Sequence, residues 1–129
     1  MRACADAPRP GEDTWISSEF IAAYTALHRA GYAHSIELWR GEQLVAGVYG
    51  VAIGGFFAGE SMFHVEQNAS KLALILLQQR LKSAGFLLFD TQMVTPVTEL
   101  LGAREVPRQK YLERLREALQ AGVKFPTEL

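Results

Sequence analysis

The sequence predicts an α+β domain in which helices flank a mixed, mostly antiparallel sheet. Changes in the spacing of apolar residues indicate this fold. Helical spacing holds from Ser17 to Gly31, and strand-like alternation follows in three runs over 34–63. A second helical stretch, 70–85, precedes the short apolar run 86–92. The chain therefore alternates between helical and extended segments in an order that suits a sheet with helices packed on it.

The first half of the chain predicts one helix and three strands. Residues 1–13 are rich in proline, glycine and charge, so we expect an irregular lead-in. Ser17 or Ser18 can cap the helix that follows, and Gly31 suits its end. The three alternating runs are joined by short glycine-containing turns, which predicts an antiparallel meander. Their expected ranges are 34–40, 44–53 and 56–63.

The second half predicts a buried helix, a parallel strand and two short helices. Helix 70–85 is apolar almost all round over its first turns, so we expect it to lie buried against the sheet. The run 86–92 follows this helix and should pair in parallel with strand 56–63. Pro96 and Pro107 suit the first turns of further helices. The expected ranges are helices 96–101 and 107–120, a single domain over 14–121 and a tail over 122–129.

Composition narrows the functional classes. The 129 residues carry 13 basic and 14 acidic side chains, for a net charge of −1, which argues against a large phosphate-contacting surface. Cys4 is the single cysteine, and the three histidines lack ligand spacing, so we expect no metal and no cofactor. No apolar run is long enough to span a membrane, and the first residues lack a signal core. We therefore expect a cytoplasmic protein without a membrane partner.

Two pairs of polar and apolar side chains stand at predicted strand ends. Alternation places Glu60 and Met62 on one face, and Asp90 and Gln92 on one face of the neighbouring parallel strand. Open sheets place their sites at such carboxyl ends. A carboxylate beside an amide can hold an amine nucleophile, and a methionine can line an apolar pocket. Equally, an acid at a strand end commonly caps the next turn, and a lone methionine commonly lies in the core.

A second group surrounds the predicted starts of the two long helices. Asn68, Ser70 and Lys71 lie where helix amides attract phosphate groups. Asn68 and Ser70 suit ordinary helix caps just as well. Trp15 suits an apolar contact before the first helix. The residue pattern alone leaves each pair of interpretations open.

The order of the elements resembles the central part of the GCN5-related acyltransferase fold, a three-layer α/β/α arrangement. In that fold, the strand before the long helix splays from the strand after it, and the reaction occurs in the gap. The resemblance makes acyl-CoA-dependent N-acetylation one alternative function. The junction "HVEQNASK" lacks the glycine-rich phosphate loop of those enzymes, which argues against CoA.

Six segments resemble the leucyl/phenylalanyl-tRNA–protein transferases and occur in the same order. They are "GYAHSIELW", "GVYGVAIG", "FFAGESMF", "NASKLAL", "LFDTQ" and "LGAREVPR", within a resemblance that runs from about Arg2 to beyond Leu115. The resemblance implies an enzyme that moves Leu or Phe from aminoacyl-tRNA onto the N-terminal Arg or Lys of proteins, which marks them for degradation. It also implies that this chain corresponds to the C-terminal catalytic part, without the additional N-terminal domain that helps to hold tRNA.

The resemblance assigns roles to individual residues. Asp90 and Gln92 match the catalytic pair, in which the glutamine handles the attacking amine and the aspartate supports it. Glu60 matches an acid near the reacting amino groups, Met62 a wall of the pocket for the Leu or Phe side chain, and Trp15 a tryptophan near the terminal adenosine of the tRNA. The expected substrate-binding set also includes Ser61, Asn68, Ser70 and Lys71. The sequence departs from the family at Val48, Leu77 and Leu81, which are expected to retune the pocket.

The implied reaction is aminolysis of an ester, and its demands fit these residues. An α-amino group titrates near pH 7.7–8.0, so a useful fraction is neutral at pH 7 and no strong base is needed. Positioning and stabilisation of the tetrahedral oxyanion can supply most of the acceleration. The alternative from another class is a non-catalytic, truncated relative that binds tRNA ends or basic peptide N-termini.

Overall fold

The computed structural model describes residues 1–7 and 14–128. Within them it forms an α+β domain of five helices and four strands. The elements are α1 (Arg2–Asp6), α2 (Ser18–Arg29), β1 (Ala33–Arg40), β2 (Gln43–Ile53), β3 (Phe56–His64), α3 (Ala69–Ser83), β4 (Leu88–Asp90), α4 (Pro96–Leu100) and α5 (Arg108–Gln120). The predicted α+β class is confirmed.

The four strands form one mixed sheet in the order β1-β2-β3-β4. β1, β2 and β3 are antiparallel neighbours, and β4 runs parallel to β3, as the sequence predicts. The predicted strand 86–92 is too long, because β4 ends at Asp90. Gln92 has φ 68°, a left-handed conformation that cannot continue a strand.

Helices cover both faces of the sheet, which gives three layers. Paired residues on neighbouring antiparallel strands share a face. Ala52 and Phe57 form such a pair and pack in the cluster that includes Leu77 of α3. Tyr49 lies three residues before Ala52 on β2 and therefore points to the opposite face of the sheet. It packs in a cluster with Cys4 of α1, and Tyr24 of α2 packs against the same cluster. The sheet therefore lies between α3 on one face and α1 with α2 on the other.

Helix α3 is buried on one face and not all round. Its fully buried side chains are Ala73, Leu74, Leu77 and Leu81. Leu72 in its first turn is 48% exposed. The expectation that this helix lies buried against the sheet is confirmed for that one face, because only one layer of the domain packs against it.

The start of the chain differs from the expected irregular lead-in. Residues Arg2–Asp6 form α1. Its Cys4 is buried in a cluster with Ile16 and with Tyr49 of β2, so contacts with the sheet stabilise a helix that local sequence does not favour. Residues 8–13 of the predicted lead-in lie outside the described residues. The cap of α2 is as predicted, since Ser17 accepts a hydrogen bond from the Phe20 amide.

The C-terminal helix is fixed to the sheet by its own last turn. The Gly55 amide donates to the Ala118 carbonyl at 2.7 Å, and Ala118 is fully buried. A Cβ at Gly54 would lie only 2.6 Å from the Leu119 carbonyl oxygen, so this close approach requires glycine. Beyond α5, the Phe125 ring stacks on His34 with centroids 4.3 Å apart. These contacts fix where the side chains of α5 lie relative to β4.

Candidate active site

The gap between β3 and β4 opens where their pairing stops. The last paired residues are Ala58 and Asp90, whereas β3 continues to His64. The next backbone acceptor on β3, the Gly59 carbonyl, accepts a hydrogen bond from Gln92 Nε2 at 2.7 Å. A side chain thus replaces the missing strand at the first unpaired position. The gap lies where the fold resemblance predicts that the two strands separate.

Glu60 occupies a β-bulge in β3. Gly59 pairs with Gly50 and Ser61 with Tyr49, so Glu60 has no cross-strand partner of its own. The bulge interrupts the alternation, and the prediction that Glu60 and Met62 point to one face is wrong. The Glu60 carboxylate instead lies beside Tyr24 of α2. Burial raises the pKa of Tyr24, and the charge of Glu60 and a hydrogen bond to it raise it further.

A cavity of about 200 Å³ lies in the gap. Its walls are mostly apolar, and its lining includes Val48, Glu60, Ser61, Met62, Leu74, Phe89, Gln92 and Met93. Met62 is 37% exposed and pairs with Val48 on the α3 face of β3. The structure therefore places Met62 in a cavity wall and not in the closed core.

One of the three residues that are expected to depart from the family pattern borders this cavity. Val48 is part of its wall. Leu77 lies in the core cluster, 1% exposed, and Leu81 lines a different cavity of about 280 Å³ behind β4. A smaller residue at Val48 changes the room available in the cavity directly, whereas Leu77 acts only through packing.

Both carboxylate oxygens of Asp90 accept hydrogen bonds from the protein. Oδ1 accepts from the Gln92 backbone amide at 2.7 Å, and Oδ2 accepts from the Tyr111 hydroxyl at 2.6 Å. Burial, followed by the hydrogen bond and charge of Asp90, raises the pKa of Tyr111 to about 12. The phenol therefore remains protonated at neutral pH and acts as the donor. Asp90 does cap the turn, as one interpretation of the sequence proposes.

Gln92 presents one unused acceptor. Its Nε2 donates to a carbonyl, which can only accept, so this bond fixes the orientation of the amide. Within residues 1–7 and 14–128 no hydrogen bond to its Oε1 is formed, and the side chain is exposed. Oε1 is thus free to accept a hydrogen bond from an amine that enters the gap.

The residues at the start of α3 do not make the caps that the sequence allows. Asn68 is the N-cap residue, but it has φ 64° and its side chain makes no capping bond. The Ser70 hydroxyl bonds instead to His64 Nδ1 at 3.1 Å, and Lys71 is half-buried in the first turn. Trp15 is 44% exposed and meets Phe20 edge-on, with centroids 5.7 Å apart. Among the described residues, no hydrogen bond joins Trp15 or the start of α3 to Asp90 or Gln92.

A basic groove of about 860 Å³ lies beside Asp90, Gln92 and Tyr111. The basic residues that line it are Arg104, Arg108 and Arg114, and Glu105 is the additional acid in its wall. The sequence does not single out Tyr111, Tyr24 or this arginine cluster as a site. Tyr24 and Tyr111 lie on helices that the sequence predicts, but only the packing of those helices brings the two side chains to the gap. For the part of the chain that is described, no three His, Cys, Asp or Glu side chains converge as metal ligands.

The helices that the structure describes are all too short or too polar to cross a membrane. The family model described as leucyl/phenylalanyl-tRNA protein transferase matches residues 1–116. The chain belongs to this family. The match includes every residue that lines the cavity in the gap, from Val48 to Thr98, as well as Tyr111.

Curated relatives that carry the name leucyl/phenylalanyl-tRNA–protein transferase support the same assignment. The relative from Shewanella halifaxensis is 54% identical over 113 residues, which cover 87% of this chain and 48% of the relative. The relative from Herpetosiphon aurantiacus is 46% identical over 125 residues, or 97% of this chain and 63% of the relative. The relative from Maricaulis maris is 50% identical over 116 residues, or 90% and 54%. The chain thus spans about half to two thirds of the length of these transferase relatives.

Proposed function

We propose that this chain transfers Leu or Phe from aminoacyl-tRNA to the N-terminal Arg or Lys of proteins and so marks them for degradation in the cytoplasm. The observation that carries the proposal is the Asp90–Gln92 turn beside an apolar cavity. Family membership names the reaction class, and this geometry offers an acceptor for an amine next to room for an apolar side chain. Asp90 and Gln92 are the catalytic residues of the proposal.

The proposed chemistry is a single acyl transfer. The neutral α-amino group of the acceptor donates a hydrogen bond to Gln92 Oε1 and attacks the carbonyl carbon of the aminoacyl ester. A new C–N bond forms, the C–O bond to the ribose breaks, and the ribose oxygen leaves with the proton that the amine loses. The carboxylate of Asp90 favours the positive charge that develops on the attacking nitrogen. The reaction needs only atoms that the two substrates supply.

The cavity is proposed to recognise the aminoacyl donor, and Glu60 in the bulge is proposed to recognise the acceptor. The cavity wall, with Met62 and Val48, accommodates the Leu or Phe side chain, and Ser61 lies at its edge. A methionine wall adapts to either side chain, which supports acceptance of both donors. The carboxylate of Glu60 supplies negative charge near the gap, which suits amino groups and an acceptor that begins with Arg or Lys.

The tRNA end is proposed to lie against two further groups. The exposed ring of Trp15 offers a stacking surface for the terminal adenosine. At the start of α3, the missing side-chain cap leaves backbone amides for a phosphate oxygen, and Lys71 adds positive charge. Asn68 and Ser70 belong to the same proposed contact. Together these groups provide a small interface for the 3′ end.

The proposal is tested by measuring formation of a Phe-peptide from Phe-tRNA and an Arg-starting peptide. Gln92→Ala should lower the rate about 100-fold, as expected for loss of an interaction that positions the nucleophile. Gln79→Ala is the matched control, because Gln79 is exposed on α3. Both variants should melt within a few degrees of the parent.

Three results would contradict the proposal. Binding of an aminoacyl-adenosine analogue without any transfer by the parent chain would favour the non-catalytic alternative. Acetylation of the peptide from acetyl-CoA would favour the acyl-CoA alternative. Equal transfer by Gln92→Ala and the parent chain would remove Gln92 from the mechanism.

A further inference from the structure

Among the described residues, a single hydrogen bond joins the C-terminal helix α5 to the Asp90–Gln92 turn, and the Tyr111 hydroxyl is its donor. Tyr111 lies in the first turn of α5, and its O–H donates to Asp90 Oδ2 at 2.6 Å. Such a short distance is typical of a bond to a charged acceptor. The tyrosine therefore holds one oxygen of the proposed catalytic carboxylate.

The other oxygen of Asp90 holds Gln92 in an uncommon conformation. Oδ1 accepts from the Gln92 amide at 2.7 Å while Gln92 has φ 68°. A residue other than glycine adopts this left-handed region only where its surroundings stabilise it. With Oδ2 held by Tyr111, the carboxylate cannot rotate about its Cβ–Cγ bond without losing a hydrogen bond. Fixing one oxygen thus fixes the other, and with it the Gln92 backbone.

The position of the phenol does not depend on the site itself. The Gly55 amide bonds to the Ala118 carbonyl two turns further along α5, and Ala118 is fully buried. These contacts dock α5 on the β2–β3 turn, on the same face of the helix as Tyr111 but two turns further along it. The phenol is therefore presented to Asp90 by the fold, whether or not a substrate is bound.

From this geometry we infer that Tyr111 is a positioning residue for the transfer reaction, acting through Asp90 to hold Gln92 in its reactive conformation. The inference rests on the proposed function, and it adds a role for α5 that the strand-end residues do not suggest. Tyr111 does not touch the reacting atoms in this arrangement. Its removal should change the fraction of molecules with Gln92 in place, and not the binding of either substrate.

Tyr111→Phe removes the hydroxyl and keeps the ring. We expect kcat for Phe transfer to fall about tenfold, as for one partly exposed hydrogen bond to a charged group. KM for the aminoacyl donor and for the peptide should each change less than about twofold, because Tyr111 makes no contact with either substrate in the proposed arrangement. Tyr32→Phe is the matched control, because Tyr32 is half-exposed on the loop before β1, away from the gap. It should leave both constants unchanged.

A double-mutant cycle separates positioning from a general structural effect. In an Asp90→Ala background, Tyr111→Phe should have no further effect on kcat, because the carboxylate through which it acts is gone. Equal fold losses in both backgrounds would overturn the inference, as would an unchanged kcat in the single variant. A rise in KM alone would show that Tyr111 serves substrate binding and would also overturn it.

Amide hydrogen exchange at Gln92 tests the positioning without any assay of transfer. The Gln92 amide is hydrogen-bonded to Asp90, so Tyr111→Phe should speed its exchange several-fold and Tyr32→Phe should not. If the parent chain transfers nothing, the proposed function fails, and this measurement still decides whether Tyr111 holds the turn. An unchanged exchange rate in Tyr111→Phe would refute the positioning role on its own.

Discussion

Replacing Asp90 with asparagine separates the two things that its carboxylate does. Asparagine can keep the turn, because its side-chain oxygen accepts from the Gln92 amide just as Asp90 Oδ1 does at 2.7 Å. Its amide nitrogen can donate to the Tyr111 oxygen that now sits 2.6 Å from Oδ2. The variant therefore preserves the geometry and removes the negative charge. Asp90→Ala removes both.

The expected losses of stability follow from these two hydrogen bonds. Each bond to a charged acceptor contributes about 1 kcal/mol once solvent exposure is taken into account. Asp90→Ala should thus cost about 2 kcal/mol, which for a domain of this size lowers Tm by about 6–10 °C. Asp90→Asn retains neutral versions of both bonds and should lower Tm by no more than about 3 °C.

The expected losses of rate follow the charge. If the carboxylate favours the positive charge on the attacking amine, its removal costs about 1.5–3 kcal/mol in the transition state, or roughly 10- to 100-fold in kcat. Asp90→Asn should then be slow while it remains folded. Asp90→Ala should be slower still, because Gln92 is also released from its turn.

The assay combines Phe transfer to an Arg-starting peptide with thermal melting of each variant. Titration of Tyr111 by NMR gives an independent check of the local structure. Its pKa of about 12 should move back toward the usual value near 10 in Asp90→Ala. Full activity of Asp90→Asn, together with loss of activity in Asp90→Ala, would refute the charge-based role and leave Asp90 as a cap alone.

Three more predictions test other parts of the molecule. Met62→Glu should abolish transfer of Phe and Leu with Tm nearly unchanged, because the side chain is 37% exposed; the control Val65→Glu, at a 60% exposed position, should leave transfer intact. Gly50→Ala should lower the free energy of unfolding by about 1–3 kcal/mol, since its Cβ would clash with the Ala58 carbonyl oxygen and with the Phe57 ring 2.6 Å away. A Cβ at Gly122 meets no atom within 4 Å, so Gly122→Ala should be neutral in chemical denaturation. Binding of charged tRNA should weaken only modestly between 50 and 200 mM salt, in keeping with the net charge of −1, and a steep salt dependence in filter binding would instead identify the basic groove as a phosphate surface.

The sequence by itself determines the elements of this protein and the family to which it belongs. The spacing of apolar residues and the glycines at turns are signals that neighbouring residues carry. They therefore predict the helix from Ser17, the three-stranded meander and the parallel strand that follows the long helix. The segments "FFAGESMF" and "LFDTQ" likewise identify the family, because a motif is read from neighbouring residues alone.

The tertiary structure decides how the site is assembled, because each deciding contact joins residues far apart in the chain. The bulge at Glu60 exists only relative to β2, so counting alternate residues along β3 misplaces its side chain. The left-handed turn at Gln92 depends on a carboxylate that is held by Tyr111, 21 residues further along the chain. Prediction of side-chain direction from a period of two requires every residue to keep the extended conformation. It fails where side chains from another element hold the backbone in a different conformation.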